Sequence, residues 1–382
     1  MDPLPDSPLV AISVWGVSAG AMATIAANLA KGFLEHGCEV DVVRVDRKPP
    51  SPILGFPDSV RHFCLEGRSS TSVFRLARYL KENKPDVLIA IAWTQNAPAI
   101  LAKILTPTFS GVLLLSEQST LSYKARVEHR RHLLLSRMAW FAGRFYGRAD
   151  AVVAVSDEVR RDLAALGVPA DTPLVTISNP VDGIRILELS RETLPADLVA
   201  IAASRPLFAA VGRLAEQKDH RLLIDAFSIV RSEMGSGTLV IAGEGPLRRE
   251  LEEQIRALGL EASVHLVGFK PNPFPLVAVA DAFVLSSREE GFGLVLVEAM
   301  AIGVPIVAGE CPGGVSEVLE SGDAGLLVAP HDVRALADGM KKVLSDHDLR
   351  RRIVQRGVKR SKDFAPDTIA GRWLEVVNWV RH

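Results

Sequence analysis

Cysteine is scarce in this sequence of 382 residues, where Cys38, Cys64 and Cys311 stand far apart and at no spacing that would hold a metal. An odd number of scattered cysteines predicts neither a disulfide framework nor a zinc site, and it is typical of a reducing cytosol. The sequence also lacks a run of 18 apolar residues, so we expect no membrane-spanning helix. Its first six residues are acidic and rich in proline, unlike a signal peptide. These absences predict a cytoplasmic protein.

An excess of charge of either sign is missing as well. The chain has 44 Lys and Arg residues against 45 Asp and Glu residues, a net charge of −1. This balance gives no reason to expect nucleic acid as a partner. Hydrophobic residues make up 48% of the sequence, so a chain of this length can form two domains, each with its own core.

The pattern that is present is an alternation of apolar strands with amphipathic helices. Leu9–Trp15 predicts a buried strand, Met22–His36 a helix and Glu39–Val45 the next strand, which together form a βαβ unit. The turn after the first strand contains Gly16 and Gly20. Because this spacing lacks the G-x-G-x-x-G fingerprint of dinucleotide-binding turns, we expect neither a nicotinamide nor a flavin cofactor.

Polar residues follow two further strands in the first half of the chain. Thr94 and Gln95 follow the predicted strand Pro85–Ala92, and Glu117 follows Val112–Leu115. Polar groups past the carboxyl ends of parallel strands are placed to line a cleft. These three residues are therefore candidates for contact with a substrate. For Thr94 alone, a helix N-cap in a turn is an equally good interpretation.

The functional interpretation depends most on the stretch Ser286–Glu298. An apolar strand, Ala282–Leu285, precedes it, and a helical pattern begins at Leu294, so a Gly-Phe-Gly turn lies between strand and helix. Backbone N–H groups at the start of a helix bind anions. Glu290 and Glu298 bracket this turn. Eight helical residues between them would rise about 12 Å, which is the size of a nucleotide sugar.

The spacing Glu290-x7-Glu298 around Gly291-Phe292-Gly293 resembles the E-x7-E signature of the retaining family 4 glycosyltransferases, which have the GT-B fold. The family's Gly-Glu-Gly-Pro turn and Asn-Pro-Val-Asp element are matched at residues 243–246 and 179–182. The resemblance implies an α/β protein of two Rossmann-like, doubly wound parallel-sheet domains that face a central cleft. The acceptor-binding domain would be residues 1–182 and the donor-binding domain 183–364. Residues 365–382 would form a helix that crosses back to the first domain.

The resemblance also implies roles for individual residues. Arg213 and Lys218 would hold the diphosphate, helped by the backbone N–H groups of Phe292 and Gly293. Glu290 would bind hydroxyls of the donor sugar and Glu298 the ribose. The catalytic candidates are Glu290, Arg213 and Lys218. The rest of the donor site would comprise Gly16, Gly20, Gly212, Gly243, Gly245, Val267, Phe269, Gly291 and Leu294, and the acceptor candidates are Thr94, Gln95 and Glu117.

The implied reaction is the transfer of a hexosyl group from a nucleotide sugar to a hydroxyl, with retention at the anomeric carbon. The stretch Cys311–Glu317 resembles members that transfer N-acetylhexosamine from a UDP-sugar to lipid-linked or polysaccharide-precursor acceptors. GDP-mannose or UDP-glucose with a soluble acceptor is an alternative, and so is a non-catalytic subunit of the same fold. We expect no cofactor, since the nucleotide sugar is a substrate. No Asp-x-Asp motif accompanies the site residues, so we also expect no metal.

Residues Arg126–Arg148 carry a basic pattern that predicts a partner. If they form one helix at about 100° per residue, five arginines share a stripe: Arg126, Arg130, Arg137, Arg144 and Arg148. An apolar stripe lies beside them (Val127, Leu134, Met138, Phe141 and Phe145), and Leu133 and Trp140 lie on their other flank. A basic stripe bordered by tryptophan suits an anionic membrane surface, which would be the inner face of a membrane. The alternative is a packed helix whose arginines are solvated.

Overall fold

The computed structural model of the protein describes residues 4–65, 69–128 and 137–382. The chain divides into two units. Unit 1 runs to Val181 and includes Phe364–His382, and unit 2 is Asp182–Asp363. In the described ranges, no helix is both long enough and apolar enough to cross a bilayer.

Thirteen strands are found in the described part of the chain. Those of unit 1 are β1 Leu9–Val14, β2 Glu39–Arg44, β3 Arg61–Cys64, β4 Val87–Ile91, β5 Val112–Glu117, β6 Ala151–Ala154 and β7 Leu174–Thr176. Those of unit 2 are β8 Leu207–Val211, β9 Thr238–Ala242, β10 Val264–Leu266, β11 Ala282–Leu285, β12 Ile306–Gly309 and β13 Leu326–Val328.

Helices alternate with these strands along the chain. The helices that precede β8 are α1 Ala21–Glu35, α2 Ser69–Asn83, α3 Trp93–Leu105, α4 Leu121–Glu128, α5 Met138–Phe145, α6 Asp157–Ala165, α7 Gly183–Ser190 and α8 Ala196–Ala202. The others are α9 His220–Met234, α10 Arg248–Ala257, α11 Phe274–Ala278, α12 Leu294–Ile302, α13 Val315–Val318, α14 Val333–Ser345, α15 His347–Ser361 and α16 Pro366–Arg381.

Each unit is built on one parallel sheet. The order in unit 1 is β3-β2-β1-β4-β5-β6-β7, and the order in unit 2 is β10-β9-β8-β11-β12-β13. Every strand pairing in both sheets is parallel. The central strands are buried along their whole length, as in β4 and β9. This burial explains why they read in the sequence as unbroken apolar runs.

The last helix, α16, belongs to unit 1 and packs on α1. The two backbones come so close that a Cβ atom on Gly32 would lie 2.2 Å from the carbonyl oxygen of Pro366. His36 adds a hydrogen bond of 3.0 Å between its Nε2 and the carbonyl oxygen of Asp367. Burial of Trp373 and Val377 fixes the helix against the unit by the hydrophobic effect.

Two regions differ from their predicted structure. Thr94 and Gln95 lie in the first turn of α3 and not in a loop, because the helix starts at Trp93, directly after β4. Ala92 makes this sharp junction with a φ of 68°, a conformation that the alanine in the sequence did not predict. Residues 185–204, for which no helix was predicted, contain most of α7 and all of α8.

The order of the strands reverses once in each sheet. In unit 1 the reversal lies between β1 and β4, and in unit 2 between β8 and β11. Ligands of open parallel sheets bind past the carboxyl ends of the strands at this switch point, where the two following loops diverge. A ligand-binding site in unit 2 is therefore expected at the loops after β8 and β11.

Candidate active site

The loops after β8 and β11 bring together two of the three predicted catalytic residues, Lys218 and Glu290. Lys218 lies on the first loop and Glu290 on the second, and Lys218 Nζ donates a hydrogen bond to Glu290 Oε1. Ser287 Oγ donates a second one to the same oxygen, at 2.6 Å. Both side chains are largely shielded from solvent, with 19% exposure for Lys218 and 8% for Glu290. In the described part of the chain, the other oxygen of Glu290 has no hydrogen-bond partner.

Glu290 is held by its backbone as well as by its side chain. Its N–H donates to the carbonyl of Pro312 at 3.0 Å, and its carbonyl accepts from Gly314 N–H at 2.8 Å. A Cβ atom on Gly313, where φ is 113°, would lie 1.7 Å from the Glu290 carbonyl oxygen. Glycine is thus required there for the loop after β12 to touch the loop that carries Glu290.

Gly243 and Gly245 serve a similar purpose. A Cβ atom on Gly243 would lie 1.8 Å from the carbonyl oxygen of Gly212, and one on Gly245 would lie 2.3 Å from that of Leu214. These glycines let the loop after β9 pack against the loop that leads to Lys218. Glycine is therefore needed at these two positions because two loops touch there. The sequence pattern alone does not distinguish this cause from close contact with a ligand.

The charge of Lys218 influences two other groups, of which His220 is buried and Glu298 is partly exposed as a residue. Burial raises the pKa of Glu298 to about 7, while the charge of Lys218 acts in the opposite direction. Glu298 lies in the second turn of α12 beside apolar side chains that include Val211, Phe283 and Ile302. Burial, and next the charge of Lys218, lowers the pKa of His220 to about 4. Glu298 therefore titrates near neutral pH, and His220 is uncharged there.

The remaining predicted donor residues of unit 2 fall into two groups. Gly291, Phe292, Gly293 and Leu294 are buried at the start of α12, and no side chain caps that helix at Gly293. By contrast, Arg213 is exposed and Phe269 is 59% exposed, while Gly212 and Val267 are partly exposed. The structure thus brings Lys218, Glu290 and the turn before α12 together and leaves Arg213 and Phe269 on the surface.

Sequence reasoning missed Ser287 and His220. Ser287 supports Glu290 directly, and its place three residues before the glutamate was the available signal. His220 is 5% exposed, and neither of its ring nitrogens has a hydrogen-bond partner among the described residues. It follows Lys218 by two positions, at the start of α9. The thiol of Cys311 is also buried here, and burial followed by the charges of Glu290 and Glu289 raises its pKa, as befits a packing residue.

In unit 1, Gly16 and Gly20 follow β1 at the switch point, as predicted. Gly20 has a φ of 90° and begins α1, which favours glycine. A Cβ atom on Gly16 would lie 2.9 Å from the Cβ atom of Asp46. Of the acceptor candidates, Thr94 is partly exposed, and Gln95 is buried and accepts a hydrogen bond of 3.1 Å from Ser13.

Glu117, the third acceptor candidate, is fully buried at the end of β5. Its carboxylate accepts hydrogen bonds from Tyr146 Oη at 2.8 Å and from Asn96 Nδ2 at 3.2 Å. Burial raises the pKa of Glu117 to about 7, although the Lys124 charge and these hydrogen bonds favour the ionised form. As it stands, Glu117 joins β5 to α3 and to the residue after α5, and it does not reach solvent.

Next to this group, unit 1 contains an apolar cavity of about 450 Å³. It is lined by Arg137, by Trp93 and Ala97 of α3, by Met138, Trp140 and Phe141 of α5, and by Tyr146. Its volume is in the range of small-molecule sites. Met138 and Tyr146 are buried, whereas Trp140 is 63% exposed.

The predicted basic stripe is only partly described. Arg130, Leu133 and Leu134 lie outside the described residues, as do the side chains of Arg126 and Val127. Arg137, Arg144 and Arg148 are exposed, and the guanidinium groups of Arg144 and Arg148 lie 5.6 Å and 5.0 Å from the centre of the Phe145 ring. Helix α5 therefore packs through Met138 and Ala142 and presents Trp140 and Arg144 to solvent.

Each unit is an α/β domain with one parallel sheet whose strand order reverses once, and unit 2 has a lysine–glutamate pair at its reversal. These are features of a GT-B glycosyltransferase. The structure of HepE from Anabaena, solved with UDP and glucose, aligns with a TM-score of 0.75 and 23% identity. The alignment covers 96% of this chain and 98% of that one. The fold class predicted from the sequence is confirmed.

Both halves of the sequence match family models. Residues 22–183 match Glycosyltransferase Family 4, and residues 198–360 match Glycosyl transferases group 1. The chain belongs to the family 4 glycosyltransferases, as its motifs predicted.

Two relatives align with most of the chain. The glycosyltransferase MJ1059 of Methanocaldococcus jannaschii is 26% identical over 335 residues, which cover 78% of this chain and 81% of that protein. An alpha-1,4-N-acetyl-D-galactosaminyltransferase of Campylobacter jejuni is 28% identical over 312 residues, 81% of this chain and 79% of that protein. The name of the Campylobacter protein gives a saccharide on PP-undecaprenol as its substrate.

Proposed function

We propose that this glycosyltransferase moves an N-acetylhexosamine from a UDP-sugar to a hydroxyl of a lipid-linked or polysaccharide-precursor acceptor, with retention and without a metal. The observation that carries the donor half of the proposal is the Lys218–Glu290 pair at the switch point of unit 2. In this proposal the lysine is the cation that would hold the diphosphate, and the neighbouring carboxylate would bind the sugar hydroxyls. The free oxygen of Glu290 can accept a hydrogen bond from the sugar without breaking the bonds to Lys218 and Ser287.

The residues support a simple account of the reaction. The bond between the anomeric carbon and the diphosphate oxygen breaks while the acceptor oxygen bonds to the same face of that carbon. The acceptor's proton passes to the departing phosphate oxygen. Negative charge grows on the diphosphate during this step, so Lys218 and Arg213 stabilise the transition state more than the ground state. Because the leaving group takes the proton, no side chain has to act as a base.

The test first measures which nucleotide sugar stabilises the protein, and then measures UDP release and the anomeric configuration of the product. A thermal-shift panel of UDP-, GDP- and ADP-sugars should show the largest stabilisation with UDP-N-acetylhexosamines. Release of UDP should then depend on an acceptor such as a short-chain polyprenyl diphosphate that carries a saccharide. NMR of the product should show the anomeric configuration of the donor, and EDTA should leave the rate nearly unchanged. An inverted linkage, stabilisation by GDP-sugars only, or a complete block by EDTA would each refute the corresponding part of the proposal.

The titration of Glu298 predicts a pH-dependent donor affinity. If its carboxylate accepts hydrogen bonds from the ribose, binding favours the ionised form. Because the pKa of Glu298 is about 7 in the free protein, binding of the donor below pH 7 must be accompanied by loss of the Glu298 proton. Affinity should therefore rise with pH through 7 and level off above it, with Kd roughly tenfold lower at pH 8 than at pH 6. Isothermal titration with a UDP-sugar, which has no phosphate group titrating in this range, measures the effect.

The matched variant for this measurement is Glu298→Gln. It should bind the UDP-sugar more weakly than the wild-type protein at pH 8 and with a Kd that does not change between pH 6 and pH 8. The same pH dependence in the variant would assign the titration to another group.

The acceptor half of the proposal is supported by unit 1 and by the named substrate of the Campylobacter relative. The cavity between α3 and α5 is apolar, and Arg137 at its wall suits the phosphate of a lipid-linked acceptor. The apolar line on α3 continues from Ala97 to the exposed side chains of Leu101 and Leu105. We propose that this face attaches peripherally to the inner face of a membrane, where such an acceptor would be presented.

Binding to liposomes should therefore need anionic lipid and weaken with salt, because each cation near such a surface contributes about 1 kcal/mol. Co-sedimentation should fall several-fold in an Arg137→Glu/Arg144→Glu variant. The matched control is Arg351→Glu/Arg352→Glu, which makes the same change of charge at two exposed residues of α15 in unit 2. Equal loss in both variants would mean a non-specific charge effect, and no binding of the wild-type protein would favour a soluble acceptor.

A further inference from the structure

The residues that flank Lys218 and Glu290 form pairs of their own. Gln217 and Asp219 stand on either side of Lys218, and Arg288 and Glu289 directly precede Glu290. Arg288 Nε donates to Asp219 Oδ2 at 2.7 Å. Gln217 Nε2 lies 3.0 Å from both the backbone carbonyl oxygen and Oε2 of Glu289. Three consecutive residues of one loop thus contact three consecutive residues of the other.

One residue of each pair is shielded from solvent. Asp219 is 6% exposed, and Glu289 is fully buried. Charge-assisted hydrogen bonds are short and directional, and more so where water is excluded. The Asp219–Arg288 and Gln217–Glu289 contacts therefore restrict how far the two loops can move apart or slide.

Two further hydrogen bonds to backbone carbonyls join the loops and do not depend on the four side chains of these pairs. Arg288 N–H donates to the carbonyl of Gln217 at 2.7 Å, and Ser286 Oγ donates to the carbonyl of Lys218 at 3.0 Å. Removing one side-chain pair should leave the loops joined and the unit folded. The expected change is a greater mobility of the Lys218 side chain relative to Glu290.

The conformation of Asp219 links this contact to Lys218. Asp219 has φ 45° and ψ 47°, a left-handed conformation that turns the chain from the loop into α9. Aspartate and asparagine tolerate this conformation better than most residues. Its bond to Arg288 fixes the backbone immediately after Lys218, and hence the direction from which the lysine side chain approaches Glu290.

We propose that Asp219, Arg288, Gln217 and Glu289 are positioning residues that hold Lys218 opposite Glu290 in the geometry needed for transfer. The inference rests on the proposed function for its catalytic consequence, but the positioning is a property of the free protein. The four residues act through Lys218 and Glu290 and need not touch the donor. A displacement of about 1 Å between reacting groups can lower a rate about 100-fold, so loss of either pair should mainly lower kcat.

The experiment uses Asp219→Asn and Arg288→Gln, with Arg288→Lys as the conservative variant. Asparagine keeps the left-handed turn and removes the charge. The matched control is Arg334→Gln, which breaks an ion pair of 2.6 Å with Glu233 elsewhere in unit 2. We expect kcat for UDP release to fall about 10- to 100-fold in the first two variants, with a much smaller change in KM for the donor. Arg288→Lys should recover part of kcat, and the Tm of all variants should match that of the control.

A second readout does not require turnover. Acylation of lysines in the free protein, quantified by mass spectrometry, should be slow at Lys218 in the wild-type protein because Glu290 and burial protect it. It should become several-fold faster in Asp219→Asn and Arg288→Gln, while Lys103, a partly shielded lysine of unit 1 that is paired with Asp150, should react at the same rate in all variants. The double variant should resemble the single ones in both readouts, because either change alone removes the pair.

The outcomes separate the two proposals. Faster acylation of Lys218 without turnover of any donor by the wild-type protein would support the positioning and contradict the proposed function. Wild-type acylation and wild-type kcat in both single variants would overturn the positioning. Losses of kcat that multiply in the double variant, or that equal the loss of folded protein, would overturn it as well.

Discussion

Replacing Lys218 by alanine should reduce turnover by two to three orders of magnitude, which corresponds to about 3–4 kcal/mol of lost transition-state stabilisation. The lysine is the shielded cation at the switch point of unit 2, and its ammonium group would be the partner for the charge that grows on the leaving diphosphate. Its low exposure makes this charge more effective than that of a solvated lysine. The measurement is kcat and KM for UDP release, with Kd for UDP determined separately.

The variant needs a control for the loss of an ion pair, since Glu290 is buried and loses one partner. Lys341→Ala provides it, because Lys341 is a partly shielded lysine of unit 2 that forms ion pairs with Glu233 and Asp338. The control should turn over at nearly the wild-type rate with a similar change in Tm. Wild-type turnover by Lys218→Ala would remove this residue from the catalytic assignment.

Replacing Glu290 by glutamine should lower kcat by about two orders of magnitude, or about 3 kcal/mol. Glutamine keeps the shape of the side chain and the backbone contacts with Pro312 and Gly314. It removes the negative charge that orders Lys218 and Ser287 and that would accept hydrogen bonds from the donor sugar. Because these contacts are with the sugar and not with the nucleotide, Kd for UDP alone should change far less than kcat.

Glu233→Gln is the matched control for this variant, since it removes the carboxylate of an ion-pair cluster outside the site. Titration of UDP into both variants separates a failure of binding from a failure of catalysis. A Glu290→Gln variant that binds UDP as weakly as Lys218→Ala would mean that Glu290 acts by holding the lysine and not by binding the sugar.

Much of unit 2 could be predicted from the sequence. The strand Ala282–Leu285 has the predicted limits, and Leu207–Val211 and Thr238–Ala242 are similarly short and predominantly apolar runs in the sequence. Strands that are buried on both faces need apolar residues at every position, and polar or glycine-rich loops end them abruptly. The helix α14, Val333–Ser345, has an equally clear signal, because its apolar residues recur with the helical period.

Other elements had no such signal. The start of α3 at Trp93 depends on an alanine with a φ of 68°, which local preferences argue against. Helices α7 and α8 contain several apolar residues, but few of them are buried, and Ile184 and Val199 are exposed. In unit 1, Glu117 follows an apolar run like a site residue, yet Tyr146 and Asn96 enclose it inside the unit. These partners are 29 and 21 positions away, beyond any local pattern.

The sequence by itself determined the two parallel-sheet units and the family, and it predicted Lys218, Glu290 and Glu298 as site residues. Residue types, spacing and apolar runs are local properties, and they suffice for these conclusions. Only the tertiary structure decided which loops meet. The reversal of strand order between β8 and β11 places residues 217–219 against 288–290, some 70 positions apart, and so creates the ion pairs around Lys218. It also decided that Glu298 titrates near neutral pH, because the pKa depends on how far the fold removes the carboxylate from water, which no spacing in the chain records.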